Sequence, residues 1–168
     1  AGFAVFDLAG LSEAGRLVMM ALMFVGGAPG STAGGIKLTT LVVLVFAIMA
    51  ALRQREQVVV GRRSVALGTG QRAAAVTTLA AAVVFGQALL LAMLTGFPLS
   101  DVLFEATSAF ATVGLSTGIT PEIGAPGQAV LTFLMFLGRL GPITLVSALA
   151  LRENTRRYTL PEGAPLIG

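Results

Sequence analysis

Between Leu17 and Leu52 the chain runs 36 residues with Lys37 as the single charge. As one straight helix that stretch would measure about 54 Å, against about 30 Å for the hydrocarbon core of a bilayer. It is also interrupted: Gly26-Gly27-Ala28-Pro29-Gly30-Ser31-Thr32-Ala33-Gly34-Gly35 puts five glycines and a proline into ten residues. Such a segment costs a continuous helix several kcal/mol in propensity. The expected form is a broken span, with an outer half to Val25, a non-helical loop, and an inner half from Ile36 to Leu52. Irregular backbone at membrane depth is tolerated only where it lines a water-filled cavity or is buried in protein.

Composition agrees with a membrane setting. Hydrophobic residues make up 55% of the chain and charged ones 11%, where a soluble domain carries about 25% charge. The fold class expected is therefore all-α and integral to a membrane. Cysteine and histidine are both absent. That removes a disulfide framework, thiolate metal sites and the commonest general base. A membrane-embedded enzyme would need a nucleophile with its base, or paired carboxylates, at membrane depth. Only Glu105 lies near such a position, so this rival is poorly supported. An assembly subunit without a pore is a further alternative. The chain starts at Ala1 with no charged leader and cleavage site, so it reads as a segment of something longer.

The remaining spans follow from hydropathy. Residues 53–72 form a polar loop with Arg53, Arg55, Arg62, Arg63 and Arg72 against the single acid Glu56. Ala73 to Thr95 is the next span, with Gln87 suited to an interhelical hydrogen bond, and Phe97-Pro98 stops it. Ser100 to Ala111 is 12 residues, too short to cross a core that needs roughly 20; a re-entrant helix ending at Thr112 fits. Residues 119–127 form an outer loop and Gln128 to Leu151 the last span, before Arg152, Arg156 and Arg157. The two spans put both arginine clusters on one face. The other face carries Asp101, Glu105, Glu122, Asp7 and Glu13, with Arg16 alone. By the positive-inside rule the clusters are cytoplasmic.

Sliding the chain on itself by 112 positions without a gap matches Gly2 to Gly114, Gly15 to Gly127 and Val18 to Val130. It also matches Leu22-Met23-Phe24 to Leu134-Met135-Phe136 and Gly26 to Gly138. The first span thus reads as a second copy of the last, and Ala1-Gly2-Phe3 falls on Val113-Gly114-Leu115. After the short helix, Thr112-Val113-Gly114-Leu115 can hold backbone carbonyls open to a cation, with Gly114 free to take angles closed to other residues. An ordinary re-entrant turn with a glycine helix terminus is the plainer alternative. Arg139 lies midway along its span, where a charge usually faces a cavity or is satisfied by buried carbonyls. Glu105 suits a brace for the turn, with direct ion binding the lesser option.

Taken together, these residues resemble the C-terminal half of the Trk/Ktr/HKT superfamily of potassium transporters, nearest the bacterial TrkH/KtrB-type membrane subunits. The matching stretches are Leu22–Gly27, Gly30–Lys37, Glu105–Phe110 with Thr112–Ser116, and Met135–Arg139. The resemblance implies four span–pore–span repeats around one pore, with 1–52 closing the third and 73–151 forming the fourth. The first two repeats and the start of the third would lie outside this chain. It implies a potassium selectivity filter to which Thr112, Val113, Gly114 and Leu115 contribute one wall and Ala1, Gly2 and Phe3 the tail of another. Leu115-Ser116 replaces the Tyr-Gly of potassium channels, so looser K⁺/Na⁺ discrimination, as in a Na⁺/K⁺ transporter of the same superfamily, stays open.

The resemblance also makes Gly26, Gly27, Gly30, Ser31, Thr32, Gly34, Gly35 and Lys37 a gating loop below the filter, where a helix-packing seam is the alternative. A nucleotide P-loop is excluded, since Ile36 intervenes before Lys37 and Leu38 follows it. Arg139 would face the pore beneath the filter. Lys37 would either do the same or anchor the loop. Potassium is implied as the transported ion, with no other cofactor and no nucleic acid. The implied partners are a second copy of the full-length protein and a cytosolic ring of nucleotide-binding regulatory subunits, met by the loop 53–72 and the tail 152–168. The setting is the plasma membrane.

Overall fold

The computed structural model describes residues 2–5, 8–28, 30–53, 58–60, 63–66 and 68–141. Among these, five α-helices follow a 3₁₀ turn at Leu8–Gly10: α1 (Glu13–Phe24), α2 (Leu38–Leu52), α3 (Thr69–Thr95), α4 (Leu99–Phe110) and α5 (Gly124–Leu140). Ala1, Asp7, Arg55, Glu56, Arg62 and everything from Pro142 onward, including the tail 152–168, lie outside the described residues.

Each helix end has a local cause. Ser12 caps α1 by accepting the Gly15 N–H at 3.2 Å, with Glu13 in the first turn where the helix dipole favours an acid. The helix stops at Phe24 because its neighbours turn to a different partner. Gly26 donates its N–H to the Ile36 carbonyl at 2.7 Å, and Ile36 donates to Phe24 at 3.2 Å. This isolated parallel bridge between Val25 and Ile36 also delays α2, which starts at Leu38 and not at Ile36. Helix α3 begins before the expected Ala73, between the left-handed glycines Gly68 and Gly96. At 27 residues it is long and apolar enough to cross a membrane; α2 is apolar but shorter.

The basic loop and the last span carry detail beyond their expected outlines. The basic loop is not wholly irregular: Val59–Val60 pairs antiparallel with Arg63–Ser64. The β-branched run Val58-Val59-Val60 favours extended backbone there. The described part of the last span is helix α5, and residues 142–151 lie outside the described residues. Helix α5 begins earlier than expected, at Gly124, and ends at Leu140, where Gly141 takes φ +79° and Pro142 follows in the sequence. Gly followed by Pro is an ordinary helix stop. Arg139 therefore occupies the last turn of α5, not the middle of a longer helix.

Helix α4 is the axis of the packing, with α3, α5 and α1 around it. All its residues from Phe104 to Phe110 are buried. On one side Leu91, Val102, Ala106, Ala109, Leu131 and Leu134 form a core shared with α3 and α5. On the other, Leu8, Met20 and Met23 close on Phe104 and Ala111. Arg16 of α1 makes an ion pair with Asp101 in the first turn of α4. The outward surfaces stay apolar, with Leu17, Leu22, Phe85, Met93 and Phe136 all exposed, as expected of helices meant for lipid or for further helices rather than water.

Candidate functional site

The carboxyl end of α4 is closed by a paired hydrogen-bond motif. Val113 donates its N–H to the Ser108 carbonyl at 3.0 Å and Thr112 donates to Ala109 at 3.1 Å. This Schellman closure requires a left-handed residue at the first position past the cap, a place usually taken by glycine. Here it is Thr112, at φ +55° the one non-glycine residue with positive φ among those described. A side chain in that region costs roughly 1–2 kcal/mol, and a β-branched one is a marked outlier. Strain of this kind clusters where backbone shape serves a function. Gly114 follows at φ +82° and Gly118 at φ +98°.

Glu105 holds the segment after the turn. Its Oε1 accepts from the Ser116 hydroxyl at 2.6 Å, the Thr117 N–H at 2.9 Å and the Thr117 hydroxyl at 3.3 Å, while Oε2 accepts from the Thr120 hydroxyl at 2.9 Å. A carboxylate buried in α4 thus keeps both oxygens engaged, as burial of an acid demands. Four donors converging on one side chain make 116–120 a fixed strap over the helix. A groove of about 340 Å³ lies beside it, lined by Glu105, Ser108, Thr112, Gly114 and Met135 among others.

The segment at the chain's start reaches the same place. Gly2 has φ +70°, and a methyl group on it would sit 2.6 Å from the Gly114 carbonyl oxygen. The two glycines matched by the 112-residue register therefore touch, both in left-handed backbone. Phe3 is exposed. Ala1 is outside the described residues.

The glycine-rich loop docks from the other direction. Its two limbs are joined by the bridge at Val25 and Ile36, and by Leu38 N–H to the Gly27 carbonyl at 3.3 Å. The limbs approach closely because Gly26 has no side chain: a methyl there would lie 2.0 Å from the Gly34 carbonyl oxygen. Gly34 then meets the end of α4. Its N–H is shared between the Ala111 carbonyl at 3.1 Å and the Thr112 Oγ1 at 2.8 Å. At the tip, Ser31 Oγ accepts the Ala33 N–H and Lys37 Nζ donates to the Ala33 carbonyl at 2.9 Å. Thr32 accepts from Arg139 Nη1, and Gly27, Gly30 and Gly35 complete the loop, with Gly30 at its exposed turn.

Gly2, residues 112–115, Glu105, Gly34 and Arg139 are thus gathered around one helix end. Lys37 folds back on its own loop through the Ala33 carbonyl. Three participants were not expected from the sequence. Gly138 presses against α4 so closely that a methyl would fall 1.8 Å from the Phe110 carbonyl oxygen; its match to Gly26 in the repeat was the available signal. Thr117 and Thr120 complete the Glu105 network, and no periodicity marks them.

Comparison with known proteins agrees with this picture. Residues 1–157 match the family described as TrkH, cation transport protein. The Ktr system potassium uptake protein B of Bacillus subtilis is 37% identical over the whole chain, which covers 38% of that protein. The protein of the same name from Vibrio alginolyticus is also 37% identical, with the whole chain covering 37% of it. The potassium/sodium uptake protein NtpJ of Enterococcus hirae is 32% identical over the whole chain and 39% of its own length. The chain spans somewhat over a third of the length of these curated relatives. With most of its length matched by one family of transporters, and none of that family's chemistry enzymatic, this chain belongs to the TrkH family of membrane-embedded cation transport proteins.

Proposed function

We propose that the chain supplies part of the ion pathway of a potassium-uptake protein, through which cations pass passively and under a gate. The observation that carries this reading is the meeting of Gly2 and Gly114 beside the carboxyl end of α4, both with positive φ. Two turns related by a repeat, touching at a helix end, are what neighbouring walls of a shared filter require. Thr112, Val113, Gly114 and Leu115 form one wall and Ala1-Gly2-Phe3 the tail of the next. The remaining walls come from the rest of the full-length protein.

The physics favours a cation there. The end of α4 carries about half a negative charge from its aligned peptides, and carbonyl oxygens replace the ion's water shell. The sign of φ alternates along 112–114, positive at Thr112 and Gly114 only, which departs from the opposed carbonyl directions of a strand. Glu105 braces the wall without touching the ion, both oxygens being committed. With Leu115-Ser116 where potassium channels have Tyr-Gly, K⁺ is favoured over Na⁺ by a modest margin. One relative is named as a potassium/sodium uptake protein.

Helices α1 and α2 are the halves of one broken span, and the loop from Gly26 to Lys37 is the gate beneath the filter. Arg139, bound to the loop at Thr32, is a fixed positive charge that shortens cation residence there. The basic segments 53–72 and 152–168 face the cytoplasm, where a ring of nucleotide-binding regulatory subunits docks on a dimer of the full-length protein in the plasma membrane.

The test is expression of the full-length parent protein in cells deficient in potassium uptake, at low external K⁺. Growth and rubidium uptake are both expected. Membrane insertion with neither would sink the transport reading. Gly114→Ser is expected to weaken K⁺ preference over Na⁺, and an unaltered preference removes Gly114 from the ion path.

A further inference from the structure

Thr112 occupies the left-handed position of the α4 closure without being glycine, and something must hold it there. The surrounding contacts name the holder. Gly34 N–H reaches both the Ala111 carbonyl and the Thr112 Oγ1, the latter at 2.8 Å. Gly34 lies against the threonine so tightly that an added methyl would fall 2.9 Å from Thr112 Cγ2 and from the Phe110 carbonyl oxygen. The loop donor is presented by its own zipper: Gly26 donates to the Ile36 carbonyl, Ile36 donates to Phe24, and Gly35 takes φ +73° beside Gly34. A long-range bond from residue 34 thus fixes the side chain and adds to the two closure bonds that hold the backbone at residue 112.

We infer that Thr112 is a positioning residue through which the loop sets the shape of the filter turn, so that loop position governs ion selectivity as well as passage. With the loop docked, Gly34 fastens Thr112 in its left-handed state, and the Val113 and Gly114 carbonyls follow from that backbone. With the loop withdrawn, the threonine loses its partner and relaxes toward the ordinary region for a β-branched residue. The relaxation rotates the peptide between Thr112 and Val113 and alters the carbonyl cage. Two states of one turn, biased by a contact with a second element, are the minimum needed for coupling between a gate and a filter. The inference rests on the proposed reading of the turn as filter and the loop as gate. It adds that the two are one device.

The discriminating readout is the K⁺/Na⁺ permeability ratio, because a loop that only obstructs would change the rate of uptake and leave the ratio alone. In the full-length protein in liposomes, removal of residues 28–33 is expected to raise rubidium flux. It should also change the ratio by about fivefold, the lower end of ordinary coupling between sites. Thr112→Val keeps the branched shape and removes the acceptor; it should produce a ratio change of the same sign with the loop intact. Thr112→Ser restores the acceptor and should recover most of the ratio. In the valine background, the loop deletion should shift the ratio further by less than about twofold, since the bond to the residue 112 side chain is already gone and only that to the Ala111 carbonyl remains.

A faster flux with an unaltered ratio on loop deletion overturns the inference, and so does a wild-type ratio in Thr112→Val. A serine variant as altered as the valine overturns it too. If the valine protein fails to accumulate, Thr112→Ala decides by the same ratio, a wild-type value counting against the coupling. Failure of the underlying filter reading shows separately, as a ratio insensitive to Gly114→Ser.

Discussion

The two copies of the repeat carry the same Leu-Met-Phe and bury opposite faces of it. In α5, Leu134 is 0% exposed and Met135 46%; in α1, Leu22 is 65% exposed and Met23 6%. The residues are identical, so the difference lies in the neighbours. Helix α4 stands between the copies. It meets α5 through Leu131 and Leu134, and meets α1 through Met20 and Met23. One helix therefore displays both contacts that each copy is built to make, one on each side. Each copy lacks the contact that the other shows. Under the repeat reading, Leu22 and Met135 mark the surfaces where further helices of the full-length protein would pack.

The sharpest way to break this comparison is at the matched glycines. A methyl on Gly138 would meet the Phe110 carbonyl oxygen at 1.8 Å, and one on Gly26 would meet the Gly34 carbonyl oxygen at 2.0 Å. The clashes are alike but the obstacles differ. Phe110 is fixed in the buried end of α4, so Gly138→Ala should destabilise the full-length protein by about 3 kcal/mol, read as a lowered thermal midpoint in detergent. Gly34 is backbone too, but it belongs to a loop and not to a helix, so Gly26→Ala should cost less, about 1–2 kcal/mol, and raise rubidium uptake by parting the limbs. Equal loss of stability in both variants would mean that the loop is as rigid as the core.

A second test uses the leucines. Leu134→Ala removes a fully buried side chain and should cost about 3 kcal/mol. Leu22→Ala would be nearly neutral if its exposure here persisted in the full-length protein, since exposed positions shift stability by no more than about 0.5 kcal/mol. Under the repeat reading it is covered by the preceding pore helix and should cost about as much as Leu134→Ala. Thermal unfolding of the two variants side by side decides, and a neutral Leu22→Ala would remove that pore helix from α1.

Much of the helical framework was legible because its signals are local. Ser12 ahead of an apolar run, Pro98 before a short amphipathic segment and the glycine-rich break each announce an end through backbone chemistry confined to a few residues. The contacts across the chain were not. Nothing in spacing pairs Glu105 with Ser116, Thr117 and Thr120, because the strap is irregular and leaves no period to read. The freedom to turn was assigned to Gly114 alone, since glycine is the default left-handed residue, whereas the α4 closure falls two positions earlier on Thr112. That departure depends on Gly34, 78 residues away in sequence, and no local rule foresees it. Arg139 reads as midway along its span because the apolar run continues through residue 151, whereas α5 ends at Leu140 with Gly141 as its cap.

The smallest expected effect concerns Arg16, whose register mate is Gln128. Arg16 pairs with Asp101 of α4, both side chains 19% exposed, while Gln128 reaches only the Thr120 carbonyl at 3.4 Å. Arg16→Gln makes the first copy resemble the second at this point. A partly solvated pair of this kind contributes about 1 kcal/mol or less, with Asp101 gaining a further increment from the amino end of α4. Arg16→Gln, Asp101→Asn and their double, unfolded thermally at low and high salt, should give a coupling of that size that shrinks as salt screens it. A coupling above about 3 kcal/mol, indifferent to salt, would mean that the pair is buried in the full-length protein, since removing one partner of a buried pair strands the other. The element covering it would then have to lie over the seam between α1 and α4, on a different face of α1 from Leu22, so the weakest interaction in the comparison would report on a neighbour that the leucines do not test.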